Sequence, residues 1–233
     1  MYLYETHVHS SMGSLCGKSL PSEMVRTYKK AGYTGFIITD HFIKGNTSVP
    51  RDFDWNTRMH MYYDAYLEAK KEGDKLDFDV FFGIEHKYVK GKEILIYGID
   101  LDFLLSHPEL NEADIETYAK MVHEVGGILV HAHPNRIRDY IDPSIPNRFD
   151  VCDGIEVYNA HDPDDINELN LQDAKKLGKI MTSGGDVHHA EIDDKLGMAG
   201  MAFERRLKDI HDFVDALKNG EGNLIIHGKV RNK

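Results

Sequence analysis

Gly35-Phe36-Ile37-Ile38-Thr39-Asp40-His41 is a short apolar run that closes on an acid and an imidazole. The run is continuous rather than alternating, as in a strand covered on both faces. Amphipathic stretches flank it: Pro21 opens one that runs to Gly32, and residues 55–71 carry another. Working outward, the alternation repeats. Further apolar runs fall at residues 2–8, 80–84, 94–99, 128–132, 154–158 and 180–183, with two later ones at 200–203 and 223–226. Helical patterns span 111–125, stopped by Gly126-Gly127, then 164–177, ending at Gly178, and 207–218. Strand alternating with helix predicts an α/β fold built on a parallel sheet. For 233 residues this suits a barrel slightly below (β/α)8 size. An open doubly wound sheet is the alternative, but no GxGxxG follows the first run. With no repeat, low-complexity tract or linker, residues 1–233 read as a single domain.

Composition narrows the function. The chain is 41% hydrophobic and 29% charged, an ordinary globular balance. Twenty-eight basic residues against thirty-nine acidic ones leave a net charge of −11, which speaks against nucleic acid as a partner. The apolar runs are too short to span a bilayer, so no membrane role is expected. Two cysteines, Cys16 and Cys152, and no signal peptide ahead of Tyr2-Leu3-Tyr4 point to a cytoplasmic protein. The unusual number is fourteen histidines.

Their positions follow the strands. His7 and His9 close the first run, spaced i, i+2 and therefore on one face. Asp40-His41 and Glu85-His86 close the next two, and His131-Ala132-His133 closes the run at 128–132. Glu156 lies in the following run with His161 just beyond it, and Asp186-Val187-His188-His189 follows residues 180–183. C-terminal ends of parallel strands open onto one face, so these distant groups converge. Neutral imidazoles and carboxylates without thiolates suit Zn²⁺, Mn²⁺ or Fe²⁺. The donors are too many for one ion, so two or three ions sharing carboxylates are expected. Such a cluster makes a bridging hydroxide near neutral pH and offsets a dianionic substrate. Hydrolysis of a phosphate ester is the natural reaction class. Taken singly, each piece has a plainer role: HxH as hydrogen-bonded core, Asp40-His41 as a local ion pair, Asp186 as a turn cap.

These residues resemble the motifs of the PHP (polymerase and histidinol phosphatase) superfamily, in order and over nearly the whole chain. Glu5-Thr6-His7-Val8-His9-Ser10 is similar to the first motif, and Ile38-Thr39-Asp40-His41 to the second. Gly83-Ile84-Glu85 carries the family glutamate, and Ala132-His133-Pro134-Asn135-Arg136 is similar to the third motif, which favours His133 over His131. The segments 154–159 and 183–188 resemble the remaining two. The resemblance implies a distorted (β/α)7 TIM-like barrel with parallel strands, a di- or trinuclear metal site and phosphoesterase activity. The expected ligands are His7, His9, His41, Glu85, His133, His161, Asp186 and His188. All of these but His161 are also expected to be catalytic. Arg136 is expected to bind a phosphate oxygen, with a surface pair to Asp139 or Asp142 as its plainer role. Glu156 and Asp40 would orient imidazoles.

The chain departs from the family pattern in two places. Where a further first-motif ligand is expected, Ser14 and Leu15 stand, followed by Cys16-Gly17, whose thiol reads as packed and inert or as approaching the site. After Glu156, His161 is the expected ligand and Asp164 its rival, a helix cap being the alternative for the acids. The aromatic stretch at 62–67 reads as core, and the basic ending 228–233 is too short for nucleic acid. His60, His107, His123 and His211 carry no assigned role. An amidohydrolase, a nuclease module and a non-catalytic metal-binding regulator remain as rival readings. The expected substrate is a small phosphorylated molecule, with identity and oligomeric state open.

Overall fold

Every apolar run becomes a strand. The computed structural model describes residues 1–231. Its strands are β1 (Tyr2–Val8), β2 (Gly35–Ile38), β3 (Asp79–Val89), β4 (Lys92–Tyr97), β5 (Ile128–Ala132), β6 (Gly154–Asn159), β7 (Ile180–Gly184), β8 (Ala199–Phe203), β9 (Asn223–Ile226) and β10 (Lys229–Arg231). The helices are α1 (Pro21–Lys30), α2 (Trp55–Leu76), α3 (Leu101–Ser106), α4 (Ile115–Glu124), α5 (Asp164–Leu177) and α6 (Ile210–Lys218), with a 3-10 turn at Pro108–Asn111.

Helix boundaries are set by caps. Asp54 opens α2 by accepting from Thr57 N at 3.1 Å. Asp114 does the same for α4 and Asp209 for α6, accepting at 2.9 and 2.8 Å. These two helices therefore start later than the patterns at 111 and 207 predict. α3, the 3-10 turn and β10 have no counterpart in the sequence reading. Of the basic ending, residues 229–231 form β10, while Asn232 and Lys233 lie outside the described residues.

The sheet corrects the expectation of a parallel (β/α)7 barrel. Ten strands form one mixed sheet in the order β10-β9-β8-β1-β2-β3-β4-β5-β6-β7. β1, β2 and β3 pair in parallel, as do β5, β6 and β7, but β4 runs antiparallel to both β3 and β5. The cause is local: only Lys90 and Gly91 separate β3 from β4, and a parallel return needs a crossover of about a dozen residues. At the other edge, β8, β9 and β10 form an antiparallel meander against β1.

The sheet curls until the chain after β7 returns to β1. Val8 and Val187 form a parallel bridge, with His9 N donating to Val187 O and Asp186 N to His7 O at 3.0 and 2.9 Å. Ser183 Oγ of β7 also donates to Ile225 O of β9 at 2.6 Å. One apolar cluster fills the inside of the curl with Tyr4, Ile37, Leu95, Val130 and Ile155, plugged by Phe213 and Leu217 of α6. A second cluster joins the outer faces of β2, β3 and β4 to α1, α2, α3 and α4. β1, β2, β3, β5, β6 and β7 thus end on one face, and the reversed β4 begins there.

Candidate metal centre

β1 delivers His7 and His9 side by side, their Nε2 atoms 3.1 Å apart. Around them stand Glu85 of β3, His41 after β2, His133 after β5 and Asp186 and His188 after β7. His133 and Asp186 hold positive φ angles of 30° and 55°, conformations that L side chains leave unless the surroundings enforce them. β7 approaches closely because residue 184 is glycine: a Cβ there would lie 2.3 Å from Glu156 Oε1.

Hydrogen bonds assign the tautomers. His7 Nδ1 meets Glu156 Oε1 at 2.9 Å, and a carboxylate only accepts, so the proton sits on Nδ1. Ser14 Oγ gives its one proton to Asp40 Oδ1 at 2.7 Å and therefore accepts from His9 Nδ1 at 3.1 Å. His188 Nδ1 donates to the carbonyl of Asp186 at 2.7 Å. In all three imidazoles Nε2 is left as a lone pair. Two of these lone pairs face each other and the carboxylates: Glu85 Oε1 lies 3.2 Å from His7 Nε2, and Asp186 Oδ1 lies 3.2 Å from His9 Nε2. His133 Nε2 joins Glu85 Oε1 at 3.1 Å.

Such a convergence of electron pairs in a buried site calls for a cation. Glu85 Oε2 and His41 Nδ1 reinforce the point. They approach to 2.6 Å, yet both are buried without a properly directed hydrogen bond. The donors group as His7–His9–Glu85, His7–His133–Asp186, His9–His41–His188 and His41–Glu85–Glu93, each with ligand atoms within 4.8 Å of one another. The residues present therefore fit divalent metal, with His7, His9, His41 and Glu85 each shared between groups.

Electrostatics keep Glu85 and Asp186 ionised and divide the imidazoles. Burial works against the proton on His41 and His188, but Glu85 outweighs it for His41, and Cys16 and Asp186 for His188, raising both. Burial opposes charge on Glu85, but the His41 and His7 imidazoles hold its carboxyl well below the usual range. Asp186 is likewise held well below by His7 and Arg136 against its burial. Burial and the neighbouring His188 and His41 push His9 well below its ordinary value, keeping it neutral as a ligand must be. For His7 burial works against the proton, and Glu156, Asp186 and Glu85 outweigh it, raising the imidazole well above its ordinary value. Proton and metal ion compete for that nitrogen.

A supporting layer fixes the donors. Glu156 Oε2 also accepts from His133 N and Asn159 Nδ2, both at 3.0 Å. Asp40 accepts from Ser10 N and Ser10 Oγ. Glu5 accepts from the backbone of Thr6, His7 and Gly185, and its burial raises it to about 8. Ser14, at the position of the sought ligand, serves as this kind of support.

Other sequence expectations fall differently. Arg136 lines the cavity, but its fork is engaged by protein: Nε to Asp162, Nη1 to Asp186 and Nη2 to Asn159 at 2.7, 2.8 and 2.8 Å. Its partners are neither Asp139 nor Asp142. His161 is not brought into the cluster; it pairs with Asp193 at 3.2 Å. Asp164 is also apart, pairing with His227 at 3.0 Å on the surface. His131 points away from the site to Tyr88 Oη at 3.0 Å.

Glu93 enters unforeseen, and Cys16 takes the second of its two expected readings. Glu93 reaches His41 and His133 at 3.6 and 3.7 Å because the reversed β4 starts where the other strands end. Cys16 is not packed away: it lines the cavity beside His41 and His188, and these imidazoles outweigh its burial, lowering the thiol to about 6. The cavity above the cluster measures about 470 Å³. The Lys90-Gly91 turn dipeptide was the signal for Glu93; nothing in sequence marked Cys16 beyond its place after the first motif.

The PHP domain family matches residues 5–210. No curated protein gives a significant match. Among solved structures, a two-domain protein containing a predicted PHP-like metal-dependent phosphoesterase from Bacteroides vulgatus superposes with a TM-score of 0.71 at 15% identity, covering 98% of this chain and 66% of that one. A putative metal-dependent phosphoesterase from Bifidobacterium adolescentis gives 0.56 at 15% identity, covering 92% and 95%. Endonuclease Q, in complex with a 27-mer duplex bearing an abasic lesion, gives 0.63 at 15% identity over 94% of this chain and 57% of its own. A fold shared with that endonuclease removes support from the charge-based expectation against nucleic acid. No described helix is long and apolar enough to cross a membrane. The match over residues 5–210, together with the motif residues gathered in the curl, places this chain in the PHP domain family.

Proposed function

We propose that the protein is a metal-dependent hydrolase of small phosphate esters, with residues 1–233 acting as one catalytic unit. The observation that carries this reading is the set of converging, largely buried imidazole and carboxylate donors opening onto a cavity of about 470 Å³. His7, His9, His41, Glu85, His133, Asp186 and His188 would hold two or three ions of zinc, manganese or iron, with Glu93 as a further donor. His161 would need to leave Asp193 to join them. When bound, the ions would supply positive charge for the phosphoryl oxygens and a water acidic enough to act as nucleophile near pH 7.

The chain's own residues do the rest. Glu156 and Ser14 hold His7 and His9 with Nε2 deprotonated. Arg136 fixes Asp186 and keeps a positive charge at the cavity wall facing the phosphoryl group. Glu85 orients toward both halves of the cluster through its two oxygens. The unpaired Cys16 and Cys152 suit a reducing, cytoplasmic setting.

A panel of phosphate esters, sugar phosphates, nucleotides and oligonucleotides, assayed with each metal, tests the reading. Phosphate release from a small ester that disappears in His7→Ala supports it. Undiminished release in that metal-loaded variant contradicts it. The similarity to endonuclease Q favours one second reading, cleavage of a nucleic-acid phosphodiester. Preference for oligonucleotides in the same panel would establish it.

A further inference from the structure

The hairpin joining β3 to β4 carries cations that the metal centre does not use. Glu85 and Lys87 stand on the same face of β3, about 7 Å apart along the strand. Lys87 is the cross-strand neighbour of Glu93. The two side chains part company: Glu93 turns inward to His41 and His133, while half-buried Lys87 has no hydrogen bond or ion pair among the described residues. Exposed Lys90 at the tip is equally without a partner among them. Both lysines line the cavity above the metal cluster.

This hairpin is held in place. Lys92 Nζ donates to Pro134 O and Asn147 Oδ1 at 3.0 and 2.7 Å, tying β4 to the segment after His133. Gly91, at φ +76°, lies so close to the loop beyond β5 that a Cβ would fall 2.7 Å from Ile141 Cγ1. Lys92 shows how a structural lysine looks here, buried with two acceptors. Lys87 and Lys90 instead line the cavity from a buttressed support, their ammonium groups without a protein partner among the described residues, in a chain whose net charge is −11.

We propose that Lys87 and Lys90 determine substrate specificity by receiving a second anionic group, a carboxylate or a phosphate, on a small phosphate monoester. The group would sit toward the cavity mouth, about one to two strand steps from the scissile phosphorus. A cavity of about 470 Å³ holds a small molecule, and these two lysines fall short of the broad basic surface that nucleic acid requires. The inference rests on the phosphoester reading above.

Calorimetry on the metal-loaded full chain tests it with ethylphosphonate, 3-phosphonopropionate, 1,3-propanebisphosphonate and a single-stranded DNA octamer. The variants are Lys87→Met with Lys90→Met, and Lys175→Met with Lys176→Met on α5 as a control. At least one doubly acidic probe should bind about tenfold more tightly than ethylphosphonate to wild type and control, the scale of two charge-assisted contacts. That advantage should vanish in the Lys87/Lys90 variant; a gain confined to one probe supports the inference and names the second group. Equal binding of all phosphonates, or an advantage that survives the variant, overturns the inference alone. So does a DNA octamer bound more tightly than any small probe. No phosphonate binding together with no ester hydrolysis removes the phosphoester reading and the inference with it.

Discussion

Replacing Glu156 by glutamine changes one atom and sets the two halves of its task against each other. In wild type Oε1 accepts from His7 Nδ1 at 2.9 Å, while Oε2 accepts from His133 N and Asn159 Nδ2 at 3.0 Å. A glutamine has one accepting oxygen and one donating nitrogen. If its oxygen faces His7, the NH2 group opposes two donors and leaves buried N–H groups unsatisfied. If its NH2 group faces His7, the imidazole must accept at Nδ1 and carry its proton on Nε2, where it no longer ligates. Each orientation costs about 1–3 kcal/mol, the penalty for an unsatisfied buried polar group. Loss of an outer partner of a ligating histidine lowers metal affinity roughly 10–100-fold. Competition with a coloured chelator at pH 7.5 measures this directly. Zn²⁺ affinity of Glu156→Gln within about twofold of wild type, together with urea-unfolding stability of the stripped variant within about 0.5 kcal/mol, would refute the tautomer assignment, since one orientation of the amide costs affinity and the other stability.

Two further outcomes concern pH. In metal-stripped protein Cys16 should be alkylated by iodoacetamide with a midpoint near pH 6, fast above it and slow below, whereas Cys152, pushed up to about 12 by burial, stays inert. Added Zn²⁺ should shield Cys16 if the ions sit against His41 and His188; mass spectrometry reads both sites. His86 is buried against Tyr118, which lowers it from 6.5 to about 3. Below pH 6.5 the unfolded chain takes up the proton and the folded one does not, so stability falls as the pH drops toward 3. At pH 5 that loss is about 2 kcal/mol. His86→Phe should therefore lose about 2 kcal/mol less than wild type between pH 7.5 and 5 in urea unfolding of the stripped protein. Identical losses would show that His86 titrates normally.

Much of the site was legible in the sequence because strand ends can be read from it. His7, His9, His41, Glu85, His133, Asp186 and His188 close apolar runs, and parallel strands bring such ends together whatever their separation in sequence. Glu93 was hidden by the direction of β4: a residue at the start of a run joins the site only if that strand is reversed. The two-residue turn at Lys90-Gly91 encodes the reversal, yet a continuous apolar strand reads alike in either direction. His161 shows the opposite limit. It follows β6 as expected, but in a loop where Arg136 joins Asn159 to Asp162 and Asp193 takes the imidazole. Arg136 and Asp193 come from two other segments, and spacing along the chain carries no record of them. The same holds for Arg136, whose guanidinium is committed to acids that the sequence places 26 and 50 positions away.

Metal titration of stripped protein against phosphate release tests the central claim most directly. Stripped protein should release no phosphate from any ester, and stepwise addition of Mn²⁺, Zn²⁺ or Fe²⁺ should restore release up to a plateau at two or three equivalents. His7→Ala should remain inactive over the same titration. Full phosphate release from the stripped protein, or tight binding of the ions with no ester hydrolysed by any of them, would contradict the account.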